Sequence, residues 1–289
     1  MNGLLIVDKL PGLTSADVVR QVKRRFRGKV GHLGTLDPFA SGVLPLCLGE
    51  GTKVAQILTV TDKQYQGLIS LGCRTDTGDP TGAVIEEQPV PHDITGRLEE
   101  VVQRLSGERL QTPPMYSAVK RQGVPLYKLA RKGITVDRSP RRVEVRFEEL
   151  ALSGPHTLRF SVTCSKGTYI RVLAEEIGQA LGTCAHLREL RRVRFGPFDL
   201  AMALSVEALE SEPLERYLIP IEMALKDLRQ LPLAKDSAHR VKQGSTAILR
   251  ELPTGRPGEA ALLVDEAKRA LALVQYRSGV GWTYLRVLS

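Results

Sequence analysis

Asp37 is the residue best placed for chemistry. It stands in the segment 31–42, Gly-His-Leu-Gly-Thr-Leu-Asp-Pro-Phe-Ala-Ser-Gly. Three glycines and a proline in so short a run rule out a regular helix and work against a continuous strand. Leu33, Leu36 and Phe39 give the segment apolar anchors, so it reads as a packed loop and not a linker. Pro38 disfavours the α region at Asp37 and holds its backbone extended or in a turn. A carboxylate on such a loop, preceded by His32, could act as a positioned nucleophile or general base. An aspartate before a proline also stabilises turns. Both readings stay open on the residues alone.

The elements around this loop can be placed by pattern. Leu4-Leu5-Ile6-Val7 reads as a short buried strand, ended by a turn at 8–12. Thr14 or Ser15 can cap a helix with Val18, Val19, Val22 and Phe26 inward. Its outer face carries Arg20, Lys23, Arg24 and Arg25, followed by Arg27 and Lys29, with no acid in that run. Such a stripe is either a solvated face or a phosphate-facing one. Strands are predicted over 43–48 and 63–72, with a short helix capped by Thr52 between them. Tyr65 sits in the second strand, where tyrosine is favoured as a half-buried aromatic. A helix is predicted over 95–105, and the adjacent Pro113 and Pro114 forbid one after it. From 119 to 146 there are nine Lys/Arg against Asp137 and Glu144, interleaved with tyrosine, which reads as surface charge or as a mobile basic flap gripping a folded RNA.

An antiparallel pair is predicted over 141–152 and 158–164, then a helix from about Thr168 to a stop at Gly182. Arg171 would lie on that helix, where arginine is mostly exposed, and Leu190 reads as plain core. Ser205 is expected to cap a helix through Leu209, with a short helical piece at 221–225. A domain boundary is placed near 229–232. Beyond it, strand-like runs at 241–244, 261–264, 271–274 and 284–288 suggest a small β-barrel of about 60 residues.

Composition narrows the classes. The chain has 289 residues with 42% hydrophobic content, enough for a sizeable core and two domains. The net charge of +9 and pI near 9.5 favour a polyanionic partner. No apolar run approaches the roughly 20 residues of a membrane span. The first residues, with Asp8 and Lys9, do not read as a signal peptide, so a cytoplasmic location is expected. Cys47, Cys73, Cys164 and Cys184 are widely spaced and read as reduced core residues. The five histidines are scattered too, and no metal site, phosphate-binding loop or dinucleotide fingerprint is found. Side chains alone are expected to carry the chemistry.

The ungapped run from Gly31 to Pro38, continued by Ala40-Ser41-Gly42-Val43-Leu44-Pro45 and Gly49-Glu50-Gly51-Thr52-Lys53, resembles the catalytic motif of the TruB family of tRNA pseudouridine synthases. Lys9-Leu10-Pro11-Gly12-Leu13-Thr14-Ser15, the polar loop 74–82, the segment 111–120 and Lys166-Gly167-Thr168-Tyr169-Ile170-Arg171 are similar to further family segments, in order. The resemblance implies an α+β fold, with a mixed, mainly antiparallel sheet, flanking helices and a small C-terminal β-barrel-like PUA-type domain. It implies a synthase domain at 1–230, an RNA-contacting insertion at about 111–142, and an RNA-binding domain at 231–289. The implied reaction is isomerisation of uridine 55 to pseudouridine in the T stem-loop of tRNA, on a flipped-out base. Asp37 would be the nucleophile and Arg171 its partner, favouring the ionised carboxylate. Tyr65 would stack on the base and is the candidate for proton removal from carbon 5. His32, Tyr169, Leu190, Lys9 and Lys166 are the expected substrate-binding residues. Attack at carbon 6 of the ring and at carbon 1′ of the ribose both remain open. No cofactor, no metal and no membrane partner are expected, and the chain is expected to be a monomer. The alternatives are a non-catalytic RNA-binding module and a related synthase acting on ribosomal RNA.

Overall fold

The computed structural model describes residues 1–288. Strand β1 (Gly3–Lys9) is the predicted apolar run, buried on both faces. Helix α1 (Ser15–Arg25) follows, capped by Thr14. The Thr14 hydroxyl accepts from the Asp17 N–H, and the Asp17 carboxylate accepts from the Thr14 N–H, so two otherwise orphaned donors are satisfied. The basic face of α1 is not free of counter-charge, as the sequence suggested. Arg20 pairs with Asp17 one turn below it, and Arg25 Nη1 donates to the carbonyls of Leu209 and Glu212.

Strands β2 (Val30–His32) and β3 (Ser41–Leu48) bracket the Asp37 loop. Thr52 does not cap a helix. It lies inside the 3₁₀ turn Gly49–Lys53, its hydroxyl donating to the Gly49 carbonyl, and α2 (Ala55–Leu58) begins just after. Next come β4 (Lys63–Leu71), the pair β5 (Cys73–Thr75) and β6 (Val84–Glu87), α3 (Ile94–Leu105) and β7 (Gly107–Gln111). The basic insertion holds a two-stranded pair, β8 (Lys120–Arg121) with β9 (Val124–Pro125), and a single-turn helix, α4 (Leu126–Ala130). β10 (Arg141–Gly154) and β11 (Thr157–Cys164) form the expected antiparallel pair. Helix α5 (Ile170–Leu181) ends at Gly182, whose φ of 81° is readily adopted only by glycine. β12 (Ala185–Phe195), β13 (Phe198–Asp199) and β14 (Leu204–Ser205) complete the sheet. The Ser205 hydroxyl accepts from the Ala208 N–H and starts α6 (Ala208–Ser211), a single turn, and α7 (Ile221–Ala224) follows.

Ten strands make one mixed sheet in the order β14-β1-β3-β12-β4-β11-β10-β7, with β2 on β3 and β13 on β12. The β12–β3 and β14–β1 pairs are parallel and the others along that order antiparallel. Helices α1, α3 and α5 cover one face, where Val18, Val22, Leu98, Val101, Leu173 and Ile177 pack on Leu5, Leu46, Ile69 and Leu187. The architecture is the expected α+β class. The last part of the chain forms a separate sheet of β15 (Arg229–Pro232), β16 (Ala260–Val264), β17 (Ala270–Arg277) and β18 (Gly281–Val287). Two helices lie between its first two strands, α8 (Lys235–Lys242) and α9 (Ala247–Glu251). The run 241–244 is therefore the end of a helix and a turn, not a strand. Ala238 and Val241, three apart, both point inward, a helical spacing. Leu262, Val264 and Leu273 of this sheet pack on Leu4, Ile6 and Val43, so one apolar cluster joins the two sheets.

Candidate active site

The Asp37 loop is held from several directions. Leu33 and Leu36 are buried beneath it. The Ser15 hydroxyl accepts from the Leu36 N–H at 2.9 Å. The Gly12 N–H donates to the Pro38 carbonyl at 2.8 Å, and the Ala40 N–H closes a turn on the Asp37 carbonyl at 3.1 Å. Lys9 has no exposed surface. Its Nζ donates to the carbonyls of Leu10 and Leu13 at 2.9 and 2.8 Å, and to that of Pro38 at 3.3 Å. Its ammonium, lowered to about 8 by burial, therefore braces the loop from beneath and is not presented to a substrate.

Arg171 meets the carboxylate head-on. Nε donates to Asp37 Oδ2 at 2.9 Å and Nη2 to Oδ1 at 3.2 Å, the bidentate geometry that a guanidinium fork favours. The other donors are used as well: Nη1 reaches the Thr77 carbonyl and Nη2 the Tyr116 carbonyl, each at 2.8 Å. Asp79 Oδ2 lies 3.7 Å from Nη1. Arg171 is 5% exposed, so it is not the surface arginine its helix position alone suggested. The Asp37 carboxyl is half-buried. Burial pushes it above the ordinary aspartate value; Arg171 pulls it down, Asp79 adds to the rise and Lys9 opposes it. The expected help of Arg171 to the ionised form is present, but desolvation outweighs it.

Asp37 opens into a cavity of about 590 Å³, inside the roughly 300–1,000 Å³ range of ligand sites. Tyr65, Lys166, Tyr169, Arg171 and Leu190 line it with Asp37. Lys166 is exposed at its rim, whereas Tyr65 and Leu190 are buried. Tyr65 reaches it from β4 and Leu190 from β12, neighbouring strands in the sheet. Burial raises the Tyr65 phenol above its ordinary value, and Arg192, hydrogen-bonded to it, opposes the rise. Neither Lys9 nor His32 lines this cavity. His32 is half-buried on β2, paired in register with Leu46, and burial with the Arg192 charge lowers its pKa. Its backbone is paired with β3, and its side chain is not among those lining the cavity.

Three further residues build the site that sequence reasoning does not single out. Asp79 is buried, and its Oδ1 accepts from the Thr77 hydroxyl, the Thr81 hydroxyl and the Thr81 N–H. Its sequence signals are Asp79-Pro80, a second Asp-Pro step in a glycine-containing loop, and its place in the family-like loop 74–82. Arg192, 1% exposed, donates to the Val43 carbonyl at 2.7 Å and the Gly34 carbonyl at 3.0 Å, fixing the loop to β3. Gln111, at the end of β7, is the third, and its sequence signals are its place before the adjacent prolines and at the head of the family-like segment 111–120.

The profile of the TruB family pseudouridylate synthase N-terminal domain matches residues 20–170. That of the tRNA pseudouridylate synthase B C-terminal domain matches 171–226. The tRNA pseudouridine synthase B of Ectopseudomonas mendocina is 46% identical over 88% of this chain and 85% of its own length. The enzyme of that name from Azoarcus sp. is 43% identical over 96% of this chain and 92% of its own. Among solved structures, a Cbf5-Nop10-Gar1 complex superposes with a TM-score of 0.73 at 28% identity, covering 99% of this chain and 84% of that one. An H/ACA RNP bound to a substrate RNA containing 2′-deoxyuridine gives 0.68 at 25% identity, covering 99% and 85%.

Proposed function

Since the chain belongs to the TruB family of pseudouridylate synthases, we propose that it converts one uridine of tRNA, position 55 in the T stem-loop, into pseudouridine with Asp37 as nucleophile. The observation that carries the reading is the bidentate Asp37–Arg171 pair opening into a cavity of about 590 Å³, large enough to admit a flipped-out nucleotide. The reaction breaks the bond between ribose carbon 1′ and base N1 and forms one between carbon 1′ and carbon 5. The proton on carbon 5 leaves and N1 gains one, so no electrons enter or depart and no cofactor is called for. Arg171 fixes the direction in which the Asp37 carboxylate points, at carbon 6 or carbon 1′. Tyr65 stacks on the uracil and is the candidate to take the carbon-5 proton as its phenolate, the form that the neighbouring Arg192 cation favours against the rise that burial causes. Tyr169 and Leu190 wall the freed base, and Lys166 stands at the rim for phosphate. The stacked base must be flipped out first, at a cost of a few kcal/mol. Phosphate contacts from the insertion offset it.

We assign 1–230 to a synthase domain and 231–289 to an RNA-binding domain of PUA-like type. A separate apolar cluster made wholly of residues beyond 230, from Leu231 to Trp282, supports that division. Action on ribosomal RNA is the weaker reading: the tRNA enzymes above are 43–46% identical and the RNP neighbours 25–28%. A pure RNA binder has no use for a carboxylate clamped inside a basic cleft. The test is an unmodified tRNA transcript incubated with the purified protein and mapped for pseudouridine. Product at the T-loop uridine, lost in Asp37→Asn with binding kept, supports the proposal. Product elsewhere, or an active Asp37→Asn, overturns it.

A further inference from the structure

Gln111 is a buried carboxamide that no step above uses. It is 2% exposed and ends β7, the strand from which the basic insertion departs. Its Oε1 accepts from the Tyr169 N–H at 2.8 Å, and its Nε2 donates to the Tyr169 carbonyl at 3.2 Å. Both backbone groups of one residue are thus met by one side chain from 58 positions away. Tyr169 is the residue before α5, and that helix has no side-chain cap of its own. An uncapped helix start leaves backbone donors without partners. Arg171, the partner of Asp37, is the second residue of the helix.

Two more contacts run alongside. Arg109 of β7 pairs with Glu176 of α5 at 2.7 Å. Past Gln111, the carbonyl of Tyr116 in the insertion accepts from Arg171 Nη2. The root of the insertion and the start of α5 are therefore fastened at successive points, with Gln111 in the middle.

We propose that Gln111 is a positioning residue for the reaction, which fixes the Tyr169–Arg171 turn and so ties the seating of the RNA-contacting insertion to the aim of the Asp37 carboxylate. This rests on the reading of Asp37 as nucleophile. When the insertion takes up RNA, strain at its root passes through Gln111 to Tyr169 and Arg171. Without that carboxamide the insertion still binds, but the guanidinium is no longer aimed.

The test uses the full-length protein, excess enzyme and unmodified tRNA transcript in single turnover. Gln111→Met removes both hydrogen bonds at similar volume. Gln111→Glu keeps the accepting oxygen for the Tyr169 N–H but loses the donor to the Tyr169 carbonyl and sets a second carboxylate beside Glu176. Gln111→Met is expected to lower the single-turnover rate by about 10²-fold, the penalty of a small misplacement at a reacting centre, with tRNA affinity within about twofold. Gln111→Glu should fall between it and the parent. The acid limb of the rate profile should move to higher pH in Gln111→Met, because a loosened Arg171 no longer opposes the rise at Asp37, which Asp79 also promotes and Lys9 resists. A purely structural role would lower the melting temperature and leave that limb in place. An unchanged rate and limb in folded protein, or losses equal in both variants and explained by the unfolded fraction, overturns the proposal. If Gln111→Met matches the parent while Asp37→Asn is dead, only the positioning role fails. If Asp37→Asn remains active, the reading beneath it fails.

Discussion

The cations at the centre of the molecule and those of the insertion live by different rules. Lys9, Arg171 and Arg192 are buried and their donors are directed at named oxygens: backbone carbonyls for Lys9 and Arg192, and a carboxylate with two carbonyls for Arg171. Between 119 and 142 the cations are mostly exposed, and among the described residues none pairs with a carboxylate. Their few contacts are soft: Arg121 donates to the Asp137 carbonyl, Arg138 to that of Pro113, and Arg131 lies over the Tyr127 ring at 5.5 Å. A buried charge survives only when its donors are matched, so it comes with a fixed geometry. An exposed charge has no such demand and stays free for a ligand's phosphates. Positive charge turned inward holds the Asp37 loop and carboxylate in place, and positive charge turned outward is left without a carboxylate partner among the described residues.

The largest effects should come from the inner set. Asp37→Asn keeps the shape and two accepting or donating groups but loses the proposed nucleophile. Single-turnover product formation should fall by about 10⁴-fold, the range reached when a catalytic carboxylate is removed, with tRNA affinity nearly unchanged in filter binding. Loss of affinity in step with rate would put Asp37 on the binding side of the comparison. Arg171→Met comes next. It strands Asp37 and Asp79 near one another without their shared cation and leaves two carbonyls unmet. Stability should drop by about 3–5 kcal/mol, as when one partner of a buried pair is removed, read from urea midpoints. Arg171→Lys restores the charge but not the fork, so it should recover much of the stability and little of the rate.

Much of this contrast is legible in the sequence. The capped α1, the β10–β11 pair and the packed loop follow from local rules, because residues close in the chain decide them. The features that escape such rules are long-range ones. Arg192 reads as part of a basic ridge, yet it sits opposite Tyr65 in register, and its acceptors come from positions 34 and 43. Bulges in β12 between Leu187 and Glu189 and between Arg192 and Arg194 break the simple alternation that would tell inside from outside. Sequence pattern puts the start of α5 at Thr168, two residues early, because its capping group lies on β7. Asp79 is hidden inside a loop whose composition reads as a turn. In the second sheet, 241–244 passes for a strand because a four-residue apolar-polar run carries too little period to separate strand from helix.

Acidity separates the two sets in a third way. The Asp37 carboxyl is raised by burial more than Arg171 lowers it. A protonated carboxyl is no nucleophile, so kcat/KM should fall about tenfold for each pH unit below a midpoint lying above that of an exposed aspartate. The sign for stability is opposite. Between the ordinary and the raised value the folded chain holds a proton that the unfolded chain has released, so stability should decline as pH rises through that window. Asp37→Asn should remove this share of the slope in urea titrations at stepped pH. An acid limb at the ordinary aspartate value would mean that the ion pair, not desolvation, dominates the site.

The smallest effect on chemistry, and the sharpest test of the outer set, is charge reversal in the insertion. Lys120, Arg131 and Arg141 are exposed and outside any ion pair among the described residues, so changing all three to glutamate breaks no ion pair and costs only the contact of Arg131 with the Tyr127 ring. Melting temperature should hardly move. If these side chains sit on phosphates, every phosphate left without its cation keeps its counterions on binding, and the slope of log affinity against log salt should shrink by about 2–3. Affinity near 0.1 M salt should weaken while the rate at saturating enzyme stays close to that of the parent, since none of the three bonds to Asp37 or Arg171 and only Arg131 borders their cavity. A reduced saturating rate would mean that the insertion's charge reaches the carboxylate, through the Tyr116 carbonyl and the Gln111 latch. An unchanged salt slope would mean that phosphate is gripped elsewhere, and the exposed cations of α1, Lys23 and Arg24, would then be the next to reverse.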